Sequence, residues 1–196
     1  MDAGGLYPAR KFENLDGKMT SAEKDRAYLE AGIPELENYL LSDELFWPIT
    51  ARGYDLPRLT IGGLLLAKTR LEARGERNEP LLTRLDAVRS KWQVAWETKA
   101  GREFQSRFGL WGNYLMDYRQ NPDGHADAYP HEVRNRAMLQ LLRPELPEEL
   151  PEREALSTLD SAVRSSLLSG DFIWEPALQS GFPREEYWFL YGELRS

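Results

Sequence analysis

From Leu81 onward, large apolar residues return every three or four positions, at Leu85, Val88, Trp92, Trp96, Ala100, Phe104, Phe108, Trp111, Leu115 and Tyr118. The mean step is about 3.7 residues, close to the α-helical repeat and longer than the roughly 3.5 of a left-handed coiled coil. This spacing predicts a helical spine over 81–118. Unbroken, it would measure about 57 Å, whereas a compact chain of this length is about 40 Å across. Two resolutions stand open: a break at Gly101 or between Gly109 and Gly112, or a projecting helix covered by a second subunit. The stripe also turns about 160° around an ideal helix between Trp92 and Phe108, so no single neighbour can follow it. A two-fold homodimer is the expected cover.

Shorter helical patterns flank the spine. Thr20 stands three residues before Glu23, a capping box, and the helix it opens is expected to stop at Gly32. Pro34 then suits the first turn of a second short helix. Residues 43–57 hold two prolines and a glycine without helical period, and read as a loop whose Phe46 and Trp47 lie against the core. Asp55 is placed to cap a helix from about Pro57 to Arg74. Its Gly62-Gly63 pair costs about 1 kcal/mol per glycine in helix propensity. With no phosphate-loop spacing around it, the pair reads as a point of close helix approach.

Pro130 begins a helix with Val133, Ala137, Met138, Leu141 and Leu142 on one face, ended by Arg143-Pro144. After a proline- and glutamate-rich connector at 144–151, Leu156, Leu159, Val163 and Leu167 mark a further helix closed by Gly170. A short aromatic helix over 184–194 is expected last. No segment alternates as a half-buried strand does. The pattern predicts an all-α, single-domain bundle of six to eight helices over 20–196, around a long aromatic-striped central helix. Residues 1–19, rich in Gly, Pro and charge, read as an irregular arm.

Composition narrows this little. Hydrophobic residues make up 41% of the chain and charged ones 29%, as in ordinary soluble globular proteins. Without cysteine there are no disulfides, thiolate metal sites or cysteine nucleophiles. The first residues lack the apolar run of a signal peptide, and no run approaches the ~20 residues that span a bilayer. A cytoplasmic protein without membrane contact is expected.

The net charge of −7 is unevenly spread: 67–143 hold fourteen Lys/Arg against ten Asp/Glu, and the rest eleven against twenty-two. Arg84, Lys91 and Arg102 would share one face of an unbroken helix, a pattern that could bind phosphate groups with Trp92 or Trp96 stacking bases. Overall acidity makes that face a solvated one, and no nucleic-acid partner is expected.

Candidate chemistry is sparse. The stretch GHADAYPHEV, residues 124–133, contains both histidines, His125 and His131, with Asp127 and Glu132. His131-Glu132 starts a zinc-protease pattern, but position 135 is asparagine and the second imidazole is missing. Asp127 is better used as a helix cap ahead of Pro130. No serine elbow, phosphate loop or dinucleotide fingerprint occurs. No catalytic residue, metal ligand or cofactor is therefore assigned.

Six tryptophans are the unusual feature. Trp47, Trp174 and Trp188 stand in segments with little regular packing, where they strap loops to the core or line an interface. The first expectation is a non-enzymatic binding or assembly module acting through an aromatic-lined surface. The alternative is an enzyme or small-molecule-binding protein with a pocket between helices, using Arg102 and Arg107 or the histidine loop. The candidate binding residues are Trp92, Trp96, Arg102, Arg107, Trp111, His125 and His131.

Overall fold

Thr20 opens the first helix as its spacing predicts. Its hydroxyl accepts from the Glu23 N–H at 3.2 Å, and the Glu23 carboxylate accepts from the Thr20 N–H at 2.8 Å. Helix α1 spans Ser21–Leu41 and runs straight through Gly32 and Pro34, where a stop and a restart were expected. An interior proline costs about 3 kcal/mol. Ile33, Leu36, Tyr39 and Leu40 continue one buried face across it, and each buried side chain of that size contributes about 1.5–3 kcal/mol. Packing outweighs the local break.

The structure, a computed structural model, describes residues 20–51, 55–146 and 151–196, of which 73% are helical. The expected arm at 1–19 and residues 147–150 of the connector lie outside the described residues. Six more helices follow α1: α2 (Ile61–Ala73), α3 (Glu79–Lys91), α4 (Gln93–Gln120), the single turn α5 (Pro122–His125), α6 (Tyr129–Leu142) and α7 (Pro151–Ser166). This is an all-α multi-helix domain with a long central helix. No helix among the described residues is long and apolar enough to cross a membrane.

The spine does break, but at neither glycine. Trp92, at φ −118° and ψ 36°, separates α3 from α4, and Gly101, Gly109 and Gly112 lie inside α4. The drift of the stripe explains the division. Leu82 and Leu85 of α3 are buried where that helix packs on α1, while Trp96, Ala100, Phe104 and Trp111 of α4 turn towards α6, α2 and α1. One straight helix cannot aim both sets at the same core. At 28 residues, α4 is about 42 Å long, which fits the expected diameter. The stripe is covered within one chain, so the length conflict no longer supplies a reason for a second subunit. The break also removes the shared basic face: Lys91 pairs with Glu37 at 3.1 Å, and Arg102 donates to the Asp43 carbonyl at 2.9 Å.

The C-terminal quarter departs most from expectation. Helix α7 ends at Ser166, short of Gly170, and Leu167–Phe172 forms strand β1. It pairs antiparallel with β2, Tyr191–Leu194, where a terminal helix was expected. Gly192 fixes the hairpin: its φ is +143°, and a Cβ there would overlap the Leu168 carbonyl oxygen. Short 3₁₀ turns at Pro176–Gly181 and Trp188–Leu190 fill the return path.

All three outlying tryptophans pack against the core. Trp47 pairs through its backbone with Leu59, Trp174 Nε1 donates to the Pro130 carbonyl at 3.0 Å, and the Arg164 guanidinium lies 3.6 Å from the Trp188 ring centroid.

Candidate functional site

Helix α2 starts at Thr60, five residues after the expected cap Asp55, with the Thr60 hydroxyl accepting from the Gly63 N–H at 3.0 Å. The next two residues are where α2 meets its neighbours most closely. A Cβ on Gly62 would lie 2.7 Å from Glu103 Oε1, and one on Gly63 would overlap the Tyr28 hydroxyl. Close approach is therefore the right reading of the glycine pair, and the groups approached are polar.

Glu103 of α4 is completely buried. Its two oxygens accept from the Gly62 N–H at 2.8 Å and from Arg107 Nε at 2.6 Å. Arg107, one turn further along α4, is itself fixed: Nη1 donates to Asn135 Oδ1 at 3.1 Å and Nη2 to the Thr60 hydroxyl at 3.2 Å. The asparagine that breaks the zinc-protease pattern thus serves as an acceptor for Arg107. Tyr28 of α1 donates to the Arg58 carbonyl at 3.0 Å and accepts from the Thr60 N–H at 3.1 Å. Burial pushes its phenol up to about 12, so the donor proton stays in place at neutral pH.

Above this network lies a cleft of about 590 Å³ between α1, α2, α4 and α6, within the usual range for small-molecule sites. Five Lys/Arg residues line it, Lys24, Arg58, Arg70, Arg107 and Arg134, against two carboxylates, Asp25 and Asp55. Leu66, Ala67 and Met138, all buried, supply an apolar wall with Tyr28 and Pro57. Lys24, Asp55, Arg58 and His131 are exposed at the rim.

The inner cations are unevenly satisfied. Arg74, behind the cleft, is well paired, with Asp25 at 3.2 Å, Glu175 at 2.8 Å and the Ser21 hydroxyl at 2.5 Å. Arg70 Nε lies 3.3 Å from Asp25 Oδ2, an ion pair without hydrogen-bond alignment. Arg134 Nε is buried with no acceptor, and Arg134 forms no ion pair among the described residues. Burial holds the Arg134 guanidinium below its ordinary value, and repulsion from Arg70 and Arg107 adds to this against the pull of Asp25 and Glu132. Burial likewise pushes Asp25 up, against the opposing pull of Arg70 and Arg74. A half-buried cation without a counter-ion carries part of the cost of leaving water, and that cost falls when an anion enters.

Of the residues singled out from sequence, Arg107 and His131 line this cleft and the others do not. Trp96 and Trp111 are 1% and 0% exposed, so neither presents a surface to a partner. Trp96 Nε1 donates to Glu145 at 2.8 Å, and Trp111 stacks on Tyr114. Trp92 is half-buried at the α3–α4 break, with Lys91 Nζ 5.0 Å from its ring centroid. Arg102 is exposed and faces the Asp43 carbonyl. His125 belongs to α5, and its carbonyl accepts from the Tyr114 hydroxyl at 3.1 Å. The two histidines and their carboxylates do not converge: no metal-binding group of side chains occurs among the described residues. Asp127 makes no capping bond to α6.

Tyr28, Thr60, Arg70, Glu103, Arg134 and Asn135 were missed. One signal did exist. Glu103 and Arg107 stand four apart, each one residue before a phenylalanine of the stripe, Phe104 and Phe108, so both carry charge into the arc that must be buried. Compared with known proteins, the chain matches no family model, no curated sequence and no solved structure.

Proposed function

We propose that this protein binds a small anionic molecule in the cleft between α1, α2, α4 and α6. The observation that carries the reading is Arg134, a half-buried guanidinium whose buried Nε has no acceptor, facing a cavity where Lys and Arg outnumber Asp and Glu. Structural arginines elsewhere in the fold are paired; Arg136, for example, makes a two-pronged contact with Asp160 at 2.7 and 2.8 Å. A cation left unpaired inside a ligand-sized cavity is suited to a partner that comes and goes. The alternative of an aromatic-lined interaction surface has lost Trp96 and Trp111 to the interior.

The network beneath the cleft acts as a rigid floor. Glu103 fixes Arg107, which is held from three directions and leaves two of its five N–H groups free of these bonds. Such pre-positioning lowers the ordering cost of binding. The test is thermal melting with a panel of carboxylates, sulfonates and phosphate esters at constant ionic strength. At least one should raise the melting temperature as concentration passes its dissociation constant, and Arg134→Gln should abolish the shift. A panel without effect on the wild-type protein contradicts the reading.

A further inference from the structure

We infer that the group held in this cleft is a phosphoryl group, carried by a small molecule with an apolar portion. The inference rests on the anion-binding reading above and specifies its chemistry. Three guanidinium groups line the cavity from three different helices: Arg70 from α2, Arg107 from α4 and Arg134 from α6. A planar carboxylate is satisfied by one two-pronged arginine. Three forks arriving from separate helices instead match the several oxygens of a tetrahedral phosphoryl end.

Charge points the same way. The lining holds three more Lys/Arg than Asp/Glu, or two more once Arg107 is balanced by the buried Glu103. A phosphate monoester carries about −1.5 to −2 at neutral pH and offsets most of that surplus, where a carboxylate offsets far less. A free donor is available at the right depth, since Arg134 Nε is buried and has no acceptor, while Arg70 Nε faces Asp25 at 3.3 Å without a hydrogen bond. The start of α2 contributes nothing, because the Gly62 N–H is taken by Glu103 and the Gly63 N–H by Thr60. Beside the arginines, Leu66, Ala67 and Met138 form a buried wall that no inorganic ion would fill. The exposed Lys24 and Arg58 at the mouth suit electrostatic capture of an anion.

Isothermal titration with inorganic phosphate, phenyl phosphate and benzoate, at matched ionic strength in chloride, tests the assignment. Phenyl phosphate should bind about tenfold or more tightly than either of the others, since only it engages both the arginines and the wall. Arg134→Gln should weaken it by about tenfold or more, while Arg102→Gln, an equal charge change outside the cleft, should not. The wild-type comparison stands even if Arg134→Gln folds poorly. Benzoate binding as tightly as phenyl phosphate overturns the phosphoryl assignment and leaves anion binding intact. Failure of both phosphates, with a carboxylate or sulfonate of the melting panel active, has the same meaning. Failure of every anion overturns both.

Discussion

Replacing Arg107 with methionine is the sharpest probe of the polar floor. Glu103 is fully buried and, among the described residues, accepts two hydrogen bonds, from Arg107 Nε at 2.6 Å and the Gly62 N–H at 2.8 Å. The substitution keeps a stem of similar length but strands the carboxylate with one backbone donor. It also deprives Asn135 and Thr60 of a donor each. Breaking a buried pair in this way costs about 3–5 kcal/mol. Glu103→Leu should cost less, about 1–3 kcal/mol, because it leaves one buried N–H unpaired while Arg107 still borders the open cleft. The double variant Glu103→Leu/Arg107→Met removes both charges, so its loss should fall short of the sum of the singles by about 2 kcal/mol or more. Urea unfolding at neutral pH, followed by tryptophan fluorescence and circular dichroism, measures all three at unchanged m. A loss below about 1 kcal/mol for Arg107→Met, or simple additivity, would refute the argument.

Gly101 and Gly109 have open space where a Cβ would stand, so alanine at either should stabilise by about 0.5–1 kcal/mol. Gly62→Ala should destabilise, because its Cβ meets Glu103; urea midpoints of the opposite order would sink this. Burial raises Tyr28, Tyr39, Tyr114, Tyr129 and Tyr187, with Tyr28 at about 12 against 10.0 for a free phenol. Raised folded values mean that their contribution is complete below pH 10 and is lost as pH rises from there. Absorbance at the tyrosinate band should then rise together with unfolding, and free ionisation of all five in an intact fold near pH 10.0 contradicts their burial. With the spine covered by its own chain, light scattering should report 22.6 kDa at micromolar concentration; a dimer would require another surface.

The spine, the cap of α1 at Thr20 and the helix from Tyr129 were legible because each depends on a local periodicity or a short capping pattern. Pro34 and Gly32 misled because their local cost is smaller than the burial of the four apolar residues that follow or flank them. The hairpin was hidden for a different reason. Leu167 continues the apolar spacing of α7, and nothing local to residues 184–194 shows that Gly192 must sit against Leu168. Its requirement appears only when the two strands meet. The cleft was half visible: Arg107 and His131 were singled out, but Tyr28, Arg70 and Arg134 come from three helices far apart in sequence. A linear reading sees charge at those positions and not its convergence.

Arg134 is held in the cleft at a cost that an entering anion relieves. Arg134→Met keeps the helix propensity and the length of the stem while removing the charge. In ligand-free protein at neutral pH, urea unfolding of this variant should show stability equal to the wild type or higher by on the order of 1 kcal/mol. With saturating phenyl phosphate the order should reverse, because the wild type gains more from binding. A ligand-free loss of more than about 1 kcal/mol, with no reversal on adding the anion, would show Arg134 to be an ordinary structural cation and contradict the account.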